Sequence, residues 1–126
     1  MRERHSSGSP YEQRYGFSRA LRVGDRILVA GTAPIAEDGT PCEGDAYEQA
    51  RRCFEIAMRA LGSLGGTAAD VVRTRMYLCD PADADAVGRA HAEAFRVARP
   101  TATMVVVAAL LDPAWRVEIE VEAVLG

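Results

Sequence analysis

"WRVEIEVEAV", Trp115 to Val124, sets a glutamate at every second position of an otherwise apolar run. In a strand, successive side chains point to opposite faces. Arg116, Glu118, Glu120 and Glu122 then share one face, and Val117, Ile119, Val121 and Ala123 the other. Neighbouring carboxylates on the acidic face would lie about 7 Å apart. Their repulsion there is roughly 0.6 kcal/mol in water but about 2.4 kcal/mol at an effective dielectric near 20. They cannot all be buried and charged. Either the face is solvated, or one glutamate occupies an enclosed site where a perturbed carboxyl has work to do.

Working back from this strand, "TATMVVVAAL" (101–110) reads as another, joined to it by a turn at Asp112-Pro113. "VVRTRMYLC" (71–79) alternates with Val72, Thr74, Met76 and Leu78 on one face. "FSRALRVGDRILVAGTAP" (17–34) reads as a hairpin, Phe17–Val23 and Arg26–Thr32, turning at Gly24-Asp25. Between the hairpin and residue 71, Asp45 followed by Glu48 opens a helix that carries Ala50, Phe54, Ala57, Leu61 and Leu64 on one stripe and stops at Gly65-Gly66. A second helix is predicted over 82–98, with Val87, Ala90, Ala94 and Val97 as its apolar stripe and Pro100 as its stop. The expected order is ββαβαββ, an α+β fold in which one sheet packs against two helices.

The 126 residues suit one domain, 1–126, with residues 1–14 expected to be a loose N-terminal segment. Hydrophobic residues make up 48 % and charged residues 26 %, an ordinary globular balance. A net charge of -3, with 6 % aromatics and no basic cluster, argues against nucleic acid as a partner. "MVVVAALL" (104–111) is far shorter than the ~18 residues of a membrane span. "MRERHSSGSPYEQR" (1–14) has no apolar core to serve as a signal or anchor, so no membrane partner is expected and the cytoplasm is the default compartment. Cys42, Cys53 and Cys79 are odd in number and widely spaced, which favours free thiols. With only His5 and His91 besides, no metal-ligand cluster and no cofactor is expected. Two helices can cover one sheet face only, while the strand from Met104 onward is apolar on both. A second copy of the chain is therefore expected on the other face.

The hairpin ending in "VAGTAP", the "ADVVRTRMYL" strand and the closing "RPTATMVVVAALLDPAWRVEIEVEAV" together resemble the RidA/YjgF proteins, small homotrimeric enamine and imine deaminases with a chorismate-mutase-like fold. The resemblance spans nearly the whole chain. It implies a trimer with a central barrel and small-molecule pockets between subunits, lined from the hairpin of one copy and the last two strands of another. Deaminases of the family clamp the substrate carboxylate with an arginine in a "P-x-R-S-x" stretch. Here that stretch is Pro100 to Met104, and Ala102 stands at the arginine position. The family's pocket tyrosine, serine and cysteine correspond to Phe17, Ala30 and Met104; its pocket glycine matches Gly31, and Thr32 and Thr103 adjoin these positions. The family's water-positioning acid matches Glu118, which makes it the candidate catalytic residue.

Arg19, two residues along the strand from Phe17, is a candidate replacement anchor for an acidic ligand, as are Arg75 and Arg99. Arg99 is also placed to cap the second helix. The resemblance implies hydrolysis of a reactive enamine or imine, with the usual amino-acid imines turned over weakly because the clamp is missing. The alternative is a non-catalytic ligand-binding or interaction protein. The ribonuclease label attached to some relatives finds no support in the charge or in a His/Lys base arrangement.

Overall fold

Val117–Val124 is a strand whose odd-numbered residues 117 to 123 are buried and whose glutamates are half-exposed. The computed structural model describes residues 2–126. Nine elements follow in order: β1 (Arg2–His5), α1 (Pro10–Tyr15), β2 (Ala20–Val23), β3 (Arg26–Thr32), α2 (Ala46–Ser63), β4 (Val71–Leu78), α3 (Ala84–Ala94), β5 (Thr101–Val106) and β6 (Val117–Val124). The six strands form one sheet in the order β1-β2-β3-β6-β4-β5. The last strand is thus threaded into the middle, antiparallel to both β3 and β4, while β5 runs parallel to β4 at the edge.

The hairpin closes with Val23 opposite Arg26, leaving Gly24-Asp25 as a two-residue loop. Asp45 caps α2 by accepting from the Glu48 backbone N–H. The helix stops where Gly65 turns left-handed at φ +95°, a conformation glycine adopts without a Cβ penalty. α2 lays Ala50, Cys53, Phe54, Ala57 and Leu61 onto the sheet. Ile27, Leu78, Val117, Ile119 and Val121 meet it from below, each fully or almost fully buried. Each such side chain contributes about 1.5–3 kcal/mol by leaving water. α3 covers the other half of that face: its His91 ring lies edge-on to Phe54 and tilted against Phe95, with Nε2 hydrogen-bonded to Thr74 Oγ1 at 2.7 Å.

Several expectations are corrected. Of the segment 1–14 expected to be loose, the described residues 2–14 are ordered into the fold: Arg2–His5 pairs with β2 from Val23 to Ala20, and Ser9 caps α1. The order of elements is therefore βαββαβαββ. The first hairpin strand begins at Ala20 rather than Phe17, and Arg19 just before it contributes only its carbonyl, which accepts from the Ala30 N–H at 2.9 Å. In β4 a register shift between Val71 and Arg73 buries Val71 and exposes Val72, so Val72 leaves the apolar face. β5 ends at Val106, and Leu111 lies exposed in the loop beyond it. α3 ends at Ala94, where Phe95 turns into the core, and Val97 is 85 % exposed. Arg99 therefore caps no helix; it sits in a left-handed turn, φ +47°, five residues further on.

On the strand expected to be apolar on both faces, Val105 and Val106 are exposed, but the face away from the helices is mixed in character as a whole. Arg73, Arg75, Tyr77, Glu118, Glu120 and Glu122 alternate there with Leu21, Leu28, Ala30 and Val105. No helix among the described residues is long and apolar enough to cross a membrane.

Candidate functional site

On the uncovered face a concavity of about 430 Å³ runs across the middle of the sheet. Phe17, Leu21, Leu28 and Ala30 form its apolar wall, and Arg4, Arg73, Arg75, Glu120 and Glu122 its charged one. The three glutamates of β6 have separate fates. Glu120 accepts from the Tyr77 hydroxyl at 2.6 Å and from Arg75 Nη1 at 3.3 Å. That hydroxyl bond to Glu120 is the main reason the Tyr77 phenol is pushed up from its ordinary value. Glu122 lies 3.3 Å from Arg26 and 3.9 Å from Arg75. Glu118 makes no hydrogen bond or ion pair with any described residue. Burial pushes its carboxyl up from the ordinary carboxylate value; the Arg19 charge pulls the other way and Glu120 adds to the rise.

Glu118 has room because of what β3 does beside it. Val29 pairs with Val121 and Thr32 with Ile119, so three β3 residues advance against two on β6, a bulge at Ala30-Gly31. A Cβ added to Gly31 would stand 2.6 Å from Glu118 Oε1. The glycine is required for the close approach, since its φ is not left-handed. Gly31→Ala is expected to swing the Glu118 carboxylate aside and so to move its side-chain carboxyl signal in a ¹³C NMR spectrum. Its melting temperature should stay near that of the parent, because the displaced atom ends a flexible side chain. Paired carboxyl spectra and thermal melts of the one variant check this.

The candidate residues fall into three places. Phe17, 39 % exposed, and Ala30 line the concavity; Gly31 follows Ala30 on β3 and Glu118 lies against Gly31, and neither is among the lining residues. Arg19 and Thr32 are buried rather than open to a ligand. Arg19 Nε lies 3.4 Å from Glu12 Oε2, Nη1 donates to the Gly31 carbonyl and to Thr32 Oγ1, and the guanidinium lies over the Phe17 ring. Arg19 is therefore not a free anchor. Ala102, Thr103 and Met104 lie on β5, two strands beyond β6, a separation of roughly 10 Å. Thr103 shares the uncovered face with Arg75, whereas Ala102 and Met104 share the helix face with Thr74 and Met76. Within one chain, then, the β5 residues do not meet Glu118.

Of the other arginines, Arg75 reaches the concavity and Arg99 borders a separate shallow depression with His91, Phe95 and Arg96. The Arg75–Tyr77–Glu120 network and the Glu12 partner of Arg19 have no signature in the sequence. Both depend on strand register and on a contact seven residues apart, for which composition and spacing give no signal. Among the described residues no three His, Cys, Asp or Glu side chains gather as a metal site would require.

Comparison with known proteins places this arrangement. The family described as Endoribonuclease L-PSP matches residues 9–125. A Streptomyces coelicolor protein is 45 % identical over 123 residues, covering 98 % of this chain and 92 % of the relative. The 3-aminoacrylate deaminase RutC of Acinetobacter baylyi is 32 % identical over 82 residues, 64 % of this chain and 65 % of its own. The crystal structure of a Mycobacterium tuberculosis member of the YjgF/YER057c/UK114 family superposes with a TM-score of 0.91 at 42 % identity, covering 99 % of this chain and all of that one. The α+β architecture is accordingly the chorismate-mutase-like fold of that family. With the match running from the first helix to the last strand, the chain belongs to the Endoribonuclease L-PSP family, the YjgF/RidA/RutC group.

Proposed function

We propose that the protein is a homotrimeric hydrolase of a reactive enamine or imine that lacks the usual amino-acid carboxylate, with its pockets between subunits and Glu118 as the working carboxyl. The observation that carries the reading is Glu118 itself: alone among the three β6 glutamates it is unpaired, and burial raises its proton affinity toward the range a general acid and base needs. Protonated, it donates its proton to the enamine carbon and leaves an iminium. As the carboxylate it then takes a proton from the water that adds to the iminium carbon. Collapse of the carbinolamine releases ammonia and the carbonyl product.

The site needs a second copy on this reading. Ala102, Thr103 and Met104 lie too far from Glu118 in their own chain, and β5 is an open edge with Val105 and Val106 exposed. Ala102 leaves the substrate without the family's carboxylate clamp, and the Phe17 and Ala30 wall favours an apolar substituent. The name of the Acinetobacter relative, an aminoacrylate deaminase, supports the reaction class. Three free thiols fit work in the cytoplasm.

The test is ammonia release from freshly generated 2-aminoacrylate and from its methyl ester. The ester is expected to be hydrolysed at least tenfold faster over background than the free acid. Equal background rates for both would favour a non-catalytic binding protein, and a preference for the free acid would overturn the assignment to Ala102.

A further inference from the structure

The bulge at Ala30-Gly31 frees the Gly31 carbonyl from the β6 ladder, and the group that takes it is Arg19. Arg19 is 6 % exposed and is the only described cation bonded there; the same Nη1 also donates to Thr32 Oγ1, and Nε lies against Glu12, which is 5 % exposed. Glu12 is held in turn by the Ser7 N–H and hydroxyl. A line of buried polar contacts thus runs from the N-terminal helix through Arg19 to the backbone against which Glu118 rests. Its centre, where Arg19 meets Glu12 and Thr32, is buried, which strengthens those bonds, while the Ser7 end is open to water.

We propose that Arg19, anchored by Glu12, is the positioning residue for Glu118: by holding the Gly31 carbonyl it fixes the bulge that gives the Glu118 carboxyl its place. The inference rests on the reading of Glu118 as the site's working group, but its test does not need catalysis. The charged and titratable groups facing Glu118 are Arg19 beside β3, Glu120 on β6, Tyr77 opposite it on β4, and Cys53 on α2. Arg19 is the single cation that acts on Glu118 from that set, so removing it leaves burial and Glu120 unopposed.

The experiment is a ¹³C NMR titration of the glutamate side-chain carboxyls in the parent, Arg19→Gln and Arg19→Lys, with Glu118→Gln supplying the assignment. In Arg19→Gln the Glu118 midpoint is expected to rise by ~1 pH unit and the Gly31 amide signal to shift. Arg19→Lys keeps the charge but not the fork, so it should restore the midpoint while leaving the Gly31 shift. Should Arg19→Gln fail to fold because Glu12 is left buried and unpaired, the double variant Glu12→Gln/Arg19→Gln removes both charges and reports the same midpoint. A lowered melting temperature with the Glu118 midpoint and the Gly31 signal unmoved would make Arg19 merely structural and overturn the proposal. A shifted midpoint together with full activity in Glu118→Gln would leave Arg19 as proposed and sink the catalytic reading instead.

Discussion

Glu118→Gln is expected to lower kcat/KM for enamine hydrolysis by about 10²–10⁴-fold, the usual contribution of a positioned acid or base. The amide keeps the size of the carboxyl and its place against Gly31 but neither donates a proton to carbon nor takes one from water. The same change is expected to help the fold. Burial raises the Glu118 carboxyl in the native state, so between its unfolded value and that raised value the native chain binds more protons than the unfolded one. Stability attributable to Glu118 is therefore present in acid and is lost as pH rises through that window. The glutamine variant carries no such penalty. Its melting temperature should match the parent near pH 4 and exceed it at pH 8. A working group held at a cost to stability behaves in this way; a solvated surface glutamate would give neither the kinetic loss nor the pH-dependent gain.

Glu12→Ala should be the most damaging change outside the core. It leaves the Arg19 guanidinium buried without its carboxylate, and breaking a buried pair from one side costs about 3–5 kcal/mol. Arg19 retains the Gly31 carbonyl and Thr32 as acceptors, which places the expected loss near the lower end, ~3 kcal/mol. For a chain of this size that corresponds to a fall of roughly 10 °C in Tm. The sign of its pH dependence is opposite to that of Glu118. Burial alone would raise the Glu12 carboxyl, but the hydroxyls of Ser7 and Ser6 and the Arg19 charge together hold it below the usual value. Its contribution is present at neutral pH and lost as pH falls through that depressed value. Parent and variant melting curves should therefore converge in acid, and differential scanning calorimetry across pH reads both the gap and its closure.

Where side chains alternate or recur with a clear period, the elements are legible in the amino-acid sequence. β3 runs over the residues its alternation predicts, β6 buries the face predicted for it, and α2 lies within a residue or two of its capping aspartate and stopping glycine. Sequence and fold part where the period is absent. "RERH" carries no apolar face, and it becomes a strand only because β2 offers it an unpaired edge. The all-apolar run from Met104 gives no period to mark its end, so the pattern carries β5 past Val106, where the strand stops. The alanine-rich stretch up to residue 94 and the apolar spacing of Val97 favour a longer helix, whereas Phe95 gains more by packing edge-on against Phe54 at 5.3 Å.

The site divides along the same line. Alternation puts Glu118 on the acidic face, and the family resemblance marks it within that face. Which glutamate stays unpaired, however, depends on cross-strand neighbours: Tyr77 stands opposite Glu118 in register yet bonds diagonally to Glu120. The role of Arg19 is the reverse of the one its position in the sequence suggests, for a related reason. Its partner Glu12 lies in a segment with no apolar pattern to predict its docking, so an arginine that looks free by spacing is locked in the fold.

A site that one chain cannot complete is the central claim, and sedimentation velocity of the purified protein at micromolar concentration tests it most directly. The expected result is a single species of three copies; a well-folded single subunit, retaining enamine hydrolysis at that dilution, would contradict it.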